Sequence, residues 1–248
     1  MMNLKTTALI SSLVLFGVLE LLFPFFQFDQ SFTKRISTNI GLGCINILLT
    51  SFTTALLLNC AWDHPCSIGI MDSIQPVWLG VLLSFLVLDG YMYGWHRLMH
   101  TTSIGWRFHA VHHTERTMNV STAYRFHAIE VLVSNLPKIL LIWLCGIPAV
   151  FYLLFEAVYA VGLVFHHSNW RLPYRVDRVL SYFIVTPNYH RLHHSQDLTA
   201  SRSNYASLLT LWDKLFRSRR YPIAPKSIQL GLAHTTKTDL LSLLKTSF

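Results

Sequence analysis

The chain has 248 residues, of which 52% are apolar and 13% are charged, and its mean hydropathy is +0.40. Soluble domains carry about 25% charged residues, so this composition excludes an ordinary water-soluble globule, as well as disorder, collagen and disulfide-stabilised scaffolds. The net charge is +8, and twelve of the twenty basic residues follow residue 165. No nucleic-acid-binding motif accompanies them, so we expect a basic surface against anionic lipid headgroups and no nucleic acid partner.

Four apolar segments divide the chain, near residues 8–28, 40–62, 76–95 and 131–165. The first three are long enough to cross a bilayer, which takes about 20 residues. The fourth has a Gly-Ile-Pro break at 146–148 and predicts a helical hairpin of two short arms. The first is too long for a signal-peptide core and predicts a retained helix. We therefore expect an all-α, multi-pass membrane protein of about four transmembrane helices with a cytosolic, histidine-rich helical cap.

The basic residues of the loops predict the orientation of these helices. The loop 63–75 has no Lys or Arg, whereas loop 29–39 contains Lys34 and Arg35, and segment 96–130 contains four Arg. Positively charged loops remain in the cytoplasm, so we expect the N-terminus outside and both basic loops and the tail inside. The membrane would be a bacterial inner membrane or the endoplasmic reticulum.

Histidine is unevenly distributed, because eleven of the thirteen histidines lie in the window 96–194, where even scattering would place about five. Their spacing forms three groups: His96-x-x-x-His100, His109-x-x-His112-His113 and His190-x-x-His193-His194. Residues three and four apart share one face of a helix, so each group presents its imidazoles in one direction. Eight imidazoles are enough to hold two metal ions and leave open coordination positions.

The ligand type narrows the choice of metal. Imidazole suits zinc, copper, iron and nickel, and the scarcity of carboxylates argues against magnesium, calcium and manganese. A zinc peptidase of the HExxH type would need Glu at the position of Arg97, and ferritin-type di-iron bundles would need Glu-x-x-His, which this sequence lacks. A two-metal site in this chain would therefore consist almost entirely of histidine.

The order of the three histidine groups resembles the fatty acid hydroxylase and sterol desaturase superfamily of integral membrane di-iron oxygenases, and its sterol-desaturase-like branch in particular. The resemblance runs from about residue 78 to residue 220. Segments similar to the superfamily, histidines aside, are 89–97, 122–130, 167–169, 186–191 and 211–213. Ala128 stands where sterol-desaturase-like sequences usually have Pro, and we expect this difference to shift a helix start without changing the chemistry.

The resemblance implies ten metal-ligating histidines around two iron ions. They are His96, His100, His109, His112, His113, His127, His167, His190, His193 and His194. His127 and His167 enter this set through the resemblance, since spacing alone shows each as a single histidine. The implied reaction is hydroxylation or desaturation of a membrane lipid, a sterol or a fatty acyl chain, with O2 as co-substrate and the site on the cytosolic face.

The resemblance also implies a division of the chain and an electron donor. Residues 1–75 would form the first transmembrane helices, 76–220 the catalytic domain and 221–248 a cytosolic tail. The sequence contains no flavin or dinucleotide fingerprint, so the electrons are expected from a separate protein. The excess of Arg and Lys favours an acidic donor of the cytochrome b5 or ferredoxin type.

Three polar residues are expected to support the ligand histidines through hydrogen bonds. Asp89 precedes His96 by about two helical turns and could accept a proton from a ligand imidazole, which would fix its tautomer. Glu130 and Asn169 are similar candidates, with helix capping or loop hydrogen bonds as the alternative.

Five further residues receive simpler interpretations. His166 is expected to support the site or the fold, whereas His64 and His234 are expected at the surface. Glu20 and Glu156 lie in apolar segments, and snorkelling of a helix-end residue toward the membrane surface accounts for both.

Two other classes of protein remain open at this point. One is a zinc-dependent membrane hydrolase with Glu115 or Glu130 as its base. The other is a non-catalytic metal or haem carrier, in which paired histidines would face each other within the transmembrane helices.

Overall fold

The computed structural model describes residues 4–28, 32–233 and 239–245. His234 lies outside these ranges. Within them the chain forms eleven α-helices, two short 3-10 helices (Val120–Tyr124 and Pro225–Ser227) and, in place of strands, three isolated β-bridges. The α-helices are α1 (Leu4–Leu22), α2 (Phe32–Asp63), α3 (Val77–Thr101), α4 (Ser103–His113), α5 (Ala128–Cys145), α6 (Ala149–His167), α7 (Tyr174–Leu180), α8 (Pro187–His193), α9 (Leu198–Ser201), α10 (Leu211–Leu215) and α11 (Leu240–Lys245).

Five helices in the described ranges are long and apolar enough to cross a membrane: α1, the Ile36–Asp63 part of α2, α3, α5 and α6. The expectation of an all-α, multi-pass membrane protein is confirmed. The hairpin expected at 131–165 is formed by α5 and α6. Its arms have 18 and 19 residues, so each is long enough to count as a span of its own, which gives five spans where the sequence indicated about four.

The tip of this hairpin is fixed by the loop between α2 and α3. Gly146 ends α5 with a φ of 66°, a left-handed conformation that glycine adopts without a steric penalty. The amides of Ile70 and Met71 both donate to the Cys145 carbonyl at 3.1 Å. A Cβ atom at Gly69 would lie 2.6 Å from the Gly146 nitrogen, so the close approach requires glycine there.

Helix α6 occupies the centre of the bundle, where it contacts α1, α3 and α8, while α2 packs against α5. The apolar core between these helices is centred on Leu88, Ile142 and Phe155, each fully or almost fully buried. Large apolar side chains on the outer faces, such as Leu48 and Phe52, are exposed, as expected for helices surrounded by lipid. The carboxyl ends of α3 and α6 thereby come together at one end of the bundle.

Beyond this end, short helices and loops form a cap organised by the buried carboxylate of Asp213. Its two oxygens accept hydrogen bonds from the Tyr189 hydroxyl at 2.9 Å, the Ser218 hydroxyl at 2.6 Å, and the amides of Tyr205 and Ala206 at 2.8 and 3.0 Å. Tyr189 lies in α8, directly before a candidate ligand histidine. Asp213 therefore holds α8 and the 205–206 loop in fixed positions over the bundle.

Glu20 and Glu156 do not snorkel, because both are buried and satisfied inside the protein. Glu156 forms ion pairs with Lys138 of α5, at 3.2 Å, and with Lys5 of α1. Glu20 accepts the amides of Val120 and Asn169 at 3.1 and 2.8 Å. The snorkelling interpretation is wrong for both residues, because their carboxylates are buried and bonded inside the protein and do not reach the membrane surface.

The substitution Glu156→Gln is expected to destabilise the protein. It leaves the buried ammonium of Lys138 without its counter-charge, a change that costs about 3–5 kcal/mol in buried ion pairs. Thermal unfolding in detergent should show a clearly lower midpoint. Lys5→Gln is the matched control and should lower the midpoint less, because the Lys5 side chain is 46% exposed. Equal midpoints for wild type and Glu156→Gln would contradict this account.

Candidate metal centre

Nine buried or half-buried histidines converge in two adjoining groups at the junction of the bundle and the cap. Among the described residues, the candidate ligand atoms within each group all lie within 4.8 Å of one another. Group one contains His96, His100, His109, His113 and His193, and group two contains His112, His167, His190 and His194. The rings of His113 and His194 stack with centroids 4.4 Å apart, so the two groups are in contact.

Local sequence explains how the helices deliver these side chains. His96 and His100 lie one turn apart at the carboxyl end of α3, and their rings are 5.0 Å apart. Thr102 ends α3 and caps α4, since its hydroxyl accepts the Gly105 amide at 3.2 Å. The resulting turn directs α4, with its three histidines, back over the end of α3. Helix α8 begins at Pro187, whose missing N–H is no loss at a helix start.

In group one, every Nε2 atom is buried and has no hydrogen-bond partner among the residues that the structure describes. Three of these rings are held through the other nitrogen, Nδ1. The Nδ1 of His96 lies 2.8 Å from the Tyr205 carbonyl, and that of His109 lies 2.8 Å from the Glu130 carboxylate. The Nδ1 of His193 lies 2.7 Å from the Ser203 carbonyl. These acceptors place the proton on Nδ1, which leaves a lone pair on Nε2. Buried polar atoms without partners are rare, and these five nitrogens form a donor set that fits one metal ion.

In group two the Nε2 atoms face one another directly. The His167 Nε2 lies 3.1 Å from that of His112 and 3.1 Å from that of His190, and the His190 Nε2 lies 3.1 Å from that of His194. The Nδ1 atoms of His112 and His167 are next to the Arg125 and Leu163 carbonyls. Their Nε2 atoms are therefore both acceptors, and two lone pairs at this distance repel unless a cation lies between them.

A proton does not supply that cation near neutral pH. Burial, reinforced by the neighbouring imidazoles, lowers the pKa of His112 and His194 well below the ordinary value of 6.5. Burial also lowers the pKa of His193 to about 3. These three histidines are thus neutral, the form in which imidazole binds a metal ion. The donor set fits two ions, one in each group.

Nine of the ten histidines expected as ligands lie in these groups, and His127 does not. Its Nδ1 accepts the Ile129 amide at 3.1 Å and caps α5, and its Nε2 lies 3.2 Å from the Leu244 carbonyl. Both ring nitrogens are therefore engaged away from the centre, and we remove His127 from the ligand set. Helix α5 begins at Ala128, where the resemblance expected Pro.

The three supporting residues expected from the sequence have different surroundings. Glu130 accepts a hydrogen bond from His109 Nδ1 at 2.8 Å, as expected. Asp89 contacts no ligand histidine, and its Oδ2 accepts the Trp212 indole N–H at 2.9 Å and the Leu209 amide at 3.1 Å. The Asn169 side chain bonds the backbone of Phe26 at 3.0 and 2.9 Å, which corresponds to the loop alternative.

Sequence reasoning missed Arg191, which follows a candidate ligand in α8. Its buried guanidinium donates to Asn188 Oδ1 at 2.7 Å. It also donates to the Ser168 and Trp170 carbonyls at 2.9 and 3.1 Å. The same group lies 4.1 Å above the Phe25 ring. Burial lowers the pKa of Arg191 to about 9, still charged at neutral pH. Arg191 thereby connects the third histidine group to the end of α6. In the sequence, its position directly after His190 was the only indication that it belongs to the site.

His166 and His64 remain outside the two groups. The His166 ring lies 4.3 Å from that of His190 and 4.6 Å from that of His167, and its buried Nδ1 has no hydrogen-bond partner. His64 is exposed in the loop after α2, as expected.

Comparison with known proteins identifies the family. The family model described as "Fatty acid hydroxylase" matches residues 81–218, more than half of the chain. This chain therefore belongs to the fatty acid hydroxylase family, as the histidine motifs indicated.

Three curated relatives show how far the similarity extends. Ornithine lipid hydroxylase OlsE of Rhizobium tropici is 31% identical over 174 residues, which cover 70% of this chain and 51% of the relative. Alkylglycerol monooxygenase of Homo sapiens is 28% identical over 186 residues, 73% of this chain and 36% of the relative. A very-long-chain aldehyde decarbonylase of Oryza sativa subsp. japonica is 27% identical over 164 residues, 60% of this chain and 26% of the relative. The chain spans about half or less of these relatives, and no solved structure matches it.

Glu130→Gln is expected to weaken metal binding in group one. The neutral amide is a poorer acceptor for His109 Nδ1–H, and losing such a partner lowers metal affinity by about 10–100-fold. Chelator competition on the purified protein measures this affinity. His127→Asn is the control, because Asn also caps a helix and the affinity should not change. Equal affinities in Glu130→Gln and wild type would show that the hydrogen bond does not matter.

The metal-free protein is expected to lose stability in mild acid. Unfolded histidines bind protons near pH 6.5, whereas folded His193 does so only near pH 3. Between these values the unfolded state binds more protons, so the free energy of unfolding falls as the pH falls, by up to about 1.4 kcal/mol per pH unit for each such histidine. Thermal unfolding midpoints should decrease from about pH 7 to pH 5. A constant midpoint would contradict buried, neutral histidines.

Proposed function

We propose that this chain is a membrane-embedded, non-haem di-iron oxygenase that hydroxylates a lipid. The observation that carries the proposal is the convergence of nine buried or half-buried imidazoles in two adjoining groups, in a chain of the fatty acid hydroxylase family. We assign five ligands to one iron and four to the other. The catalytic region corresponds to residues 76–220, and the family match over 81–218 supports this assignment.

The geometry favours an oxygenase over a zinc hydrolase. Glu115 does not face the histidines, since its carboxylate accepts the Thr117 amide and hydroxyl at 2.9 and 3.0 Å and the Asn39 side-chain amide at 3.3 Å. Glu130 is engaged with His109. Neither carboxylate is placed to act as a general base toward a metal-bound water.

The same geometry disfavours a haem carrier. A haem iron is bound by its porphyrin in one plane and needs at most two axial protein ligands. Each histidine group instead brings four or five ring nitrogens within 4.8 Å of one another. That arrangement surrounds a bare ion and leaves no flat slot for a macrocycle.

The substrate is proposed to be a membrane lipid. One relative is named an ornithine lipid hydroxylase and another an alkylglycerol monooxygenase, and both names describe oxidation of a lipid. The centre adjoins the carboxyl ends of α3 and α6, which carry His96, His100 and His167, so an apolar chain lying beside these helices would bring a C–H bond to the centre. Hydroxylation is favoured over desaturation because both names denote insertion of oxygen.

The protein contributes position, dryness and fixed protonation states. Bound iron would supply the activation of O2, in which one oxygen atom becomes the hydroxyl group of the lipid and the other leaves as water, with two electrons and two protons from a donor. Nδ1 contacts orient five of the nine imidazoles, those of His96, His109, His112, His167 and His193. The burial of the centre keeps bulk water away from it.

The orientation and the donor extend this proposal. The basic loops and tail support a cytosolic position for the centre, in a bacterial inner membrane or the endoplasmic reticulum. The donor would be an acidic protein of the cytochrome b5 or ferredoxin type, since charge complementarity favours its encounter with this basic face.

The test is O2-dependent oxidation of lipid by the full chain, loaded with iron and supplied with a reductant in a lipid extract. Wild type should form a lipid product that carries one atom from 18O2. His112→Ala and His193→Ala, one from each group, should reduce product to background, whereas the exposed-loop control His64→Ala should not. Oxidised lipid under anaerobic conditions, or wild-type turnover in both ligand variants, would contradict the proposal.

A further inference from the structure

A pocket of about 630 Å³ opens at the end of the bundle where the histidines lie, and no candidate ligand histidine lines it. Three parts of the chain form its walls: the segment after α1, the segment between α6 and α7, and the 3-10 helix at Pro225–Ser227. The pocket is therefore separate from the metal centre, although Asn188, which lines the pocket, belongs to the helix α8 that carries His190 and His193.

Backbone pairing makes two of these walls rigid. The Phe25 amide donates to the Asn169 carbonyl at 2.7 Å, and the Arg171 amide donates to the Phe23 carbonyl at 2.8 Å. These hydrogen bonds flank an antiparallel bridge between Pro24 and Trp170. The aromatic rings of the pocket are thus carried by a fixed element.

The lining combines apolar rings with two exposed cations. Phe23, Phe25 and Trp170 supply aromatic surface, and Arg171 and Lys226 supply positive charge. No acidic residue lines the pocket among the described parts of the chain. Aromatic rings beside cations are typical of protein surfaces at the lipid headgroup level. The pocket therefore suits an anionic group attached to an apolar body.

An apolar surface continues from the pocket along the membrane-spanning part of α1. Leu21 and Leu22, directly before Phe23, are 69% and 64% exposed. Acyl chains could lie on this surface while the headgroup occupies the pocket. A soluble acidic protein would have no access to it, so the continuity favours a lipid.

The helix next to the pocket has the composition of a membrane-surface element. Helix α7 begins at Tyr174, which lines the pocket, and it exposes Val176 and Val179 together with Arg175 and Arg178. Exposed apolar side chains interleaved with Arg are typical of helices that lie at the lipid headgroup boundary. This face of the protein is therefore expected to meet the membrane surface.

We propose that the pocket binds the phosphate-bearing headgroup of an anionic phospholipid from the surrounding leaflet. Arg171 and Lys226 would pair with the phosphate, the aromatic rings would pack on the glycerol region, and the acyl chains would follow Leu21 and Leu22. This site goes beyond the proposed oxidation chemistry and requires neither metal nor turnover.

The test is fluorescence quenching of the full chain in neutral detergent by short-chain brominated phospholipids. Brominated phosphatidylglycerol should bind at least about tenfold more tightly than brominated phosphatidylcholine with the same acyl chains, since each cation near a lipid headgroup contributes about fivefold. Arg171→Gln combined with Lys226→Gln should remove the preference. Trp170→Phe should remove most of the headgroup-dependent quenching, because Trp170 is the tryptophan in the pocket.

The matched control is Arg107→Gln combined with Arg202→Gln, which removes two exposed charges elsewhere and should keep the preference. Millimolar inorganic phosphate should not displace the lipid if the apolar part contributes. Equal binding of the two lipids would overturn the proposal, as would an unchanged preference in Arg171→Gln/Lys226→Gln. An equal loss of preference in the control, or displacement of the lipid by inorganic phosphate, would also overturn it. Because the assay works on metal-free protein, its outcome is independent of the oxygenase proposal.

Discussion

Nine buried or half-buried imidazoles packed around two small volumes impose the constraint on which the rest of the structure depends. Burial lowers the pKa of His112, His193 and His194, so these rings are neutral near pH 7. Nδ1 contacts with backbone carbonyls turn the Nε2 lone pairs of His112, His167 and His193 toward common points. Unpaired buried nitrogens and facing lone pairs are both unfavourable. A cation at each point removes both penalties at once. The arrangement of the imidazoles is therefore unfavourable in free energy without metal, and the bound ions would stabilise it.

The surrounding fold can be understood as the frame that holds these rings. Buried polar groups connect the helices that carry histidines to the segments that support them: Asp213 fixes α8, Arg191 joins α8 to the end of α6, and Glu20 joins α1 to the same end. The Glu156 ion pairs join α1, α5 and α6 within the bundle. Such groups stabilise only one arrangement of partners, and this requirement makes the position of the centre specific.

The histidine groups could be predicted from the sequence because helical spacing alone decides which side chains share a face. The spacing of the eight histidines, three or four residues apart within each group, predicts a shared helix face without any knowledge of tertiary contacts. His167 lies alone in its motif and needed the family resemblance. Long apolar segments likewise predicted the helices, although segment length understated the two arms of the hairpin formed by α5 and α6.

The wrong predictions for individual residues all concern hydrogen-bond or ion-pair partners that tertiary structure determines. Asp89 lies about two turns before His96, which placed it near the correct face, but its Oδ2 accepts hydrogen bonds from Trp212 and Leu209, more than a hundred residues away. The Nδ1 of His127 accepts the Ile129 amide at the start of α5, and its Nε2 contacts the Leu244 carbonyl. Glu156 pairs with Lys5 across 151 positions. Local pattern carries no information on contacts of this range.

Two separate histidine groups are proposed to hold one metal ion each. Metal analysis of the purified full chain, expressed with iron, can show this when one ligand of each group is removed in turn. The account predicts about two irons per chain in wild type, and loss of one iron, with the other retained, in either His100→Ala or His167→Ala. No iron in wild type, or the same iron content in all three proteins, would contradict it.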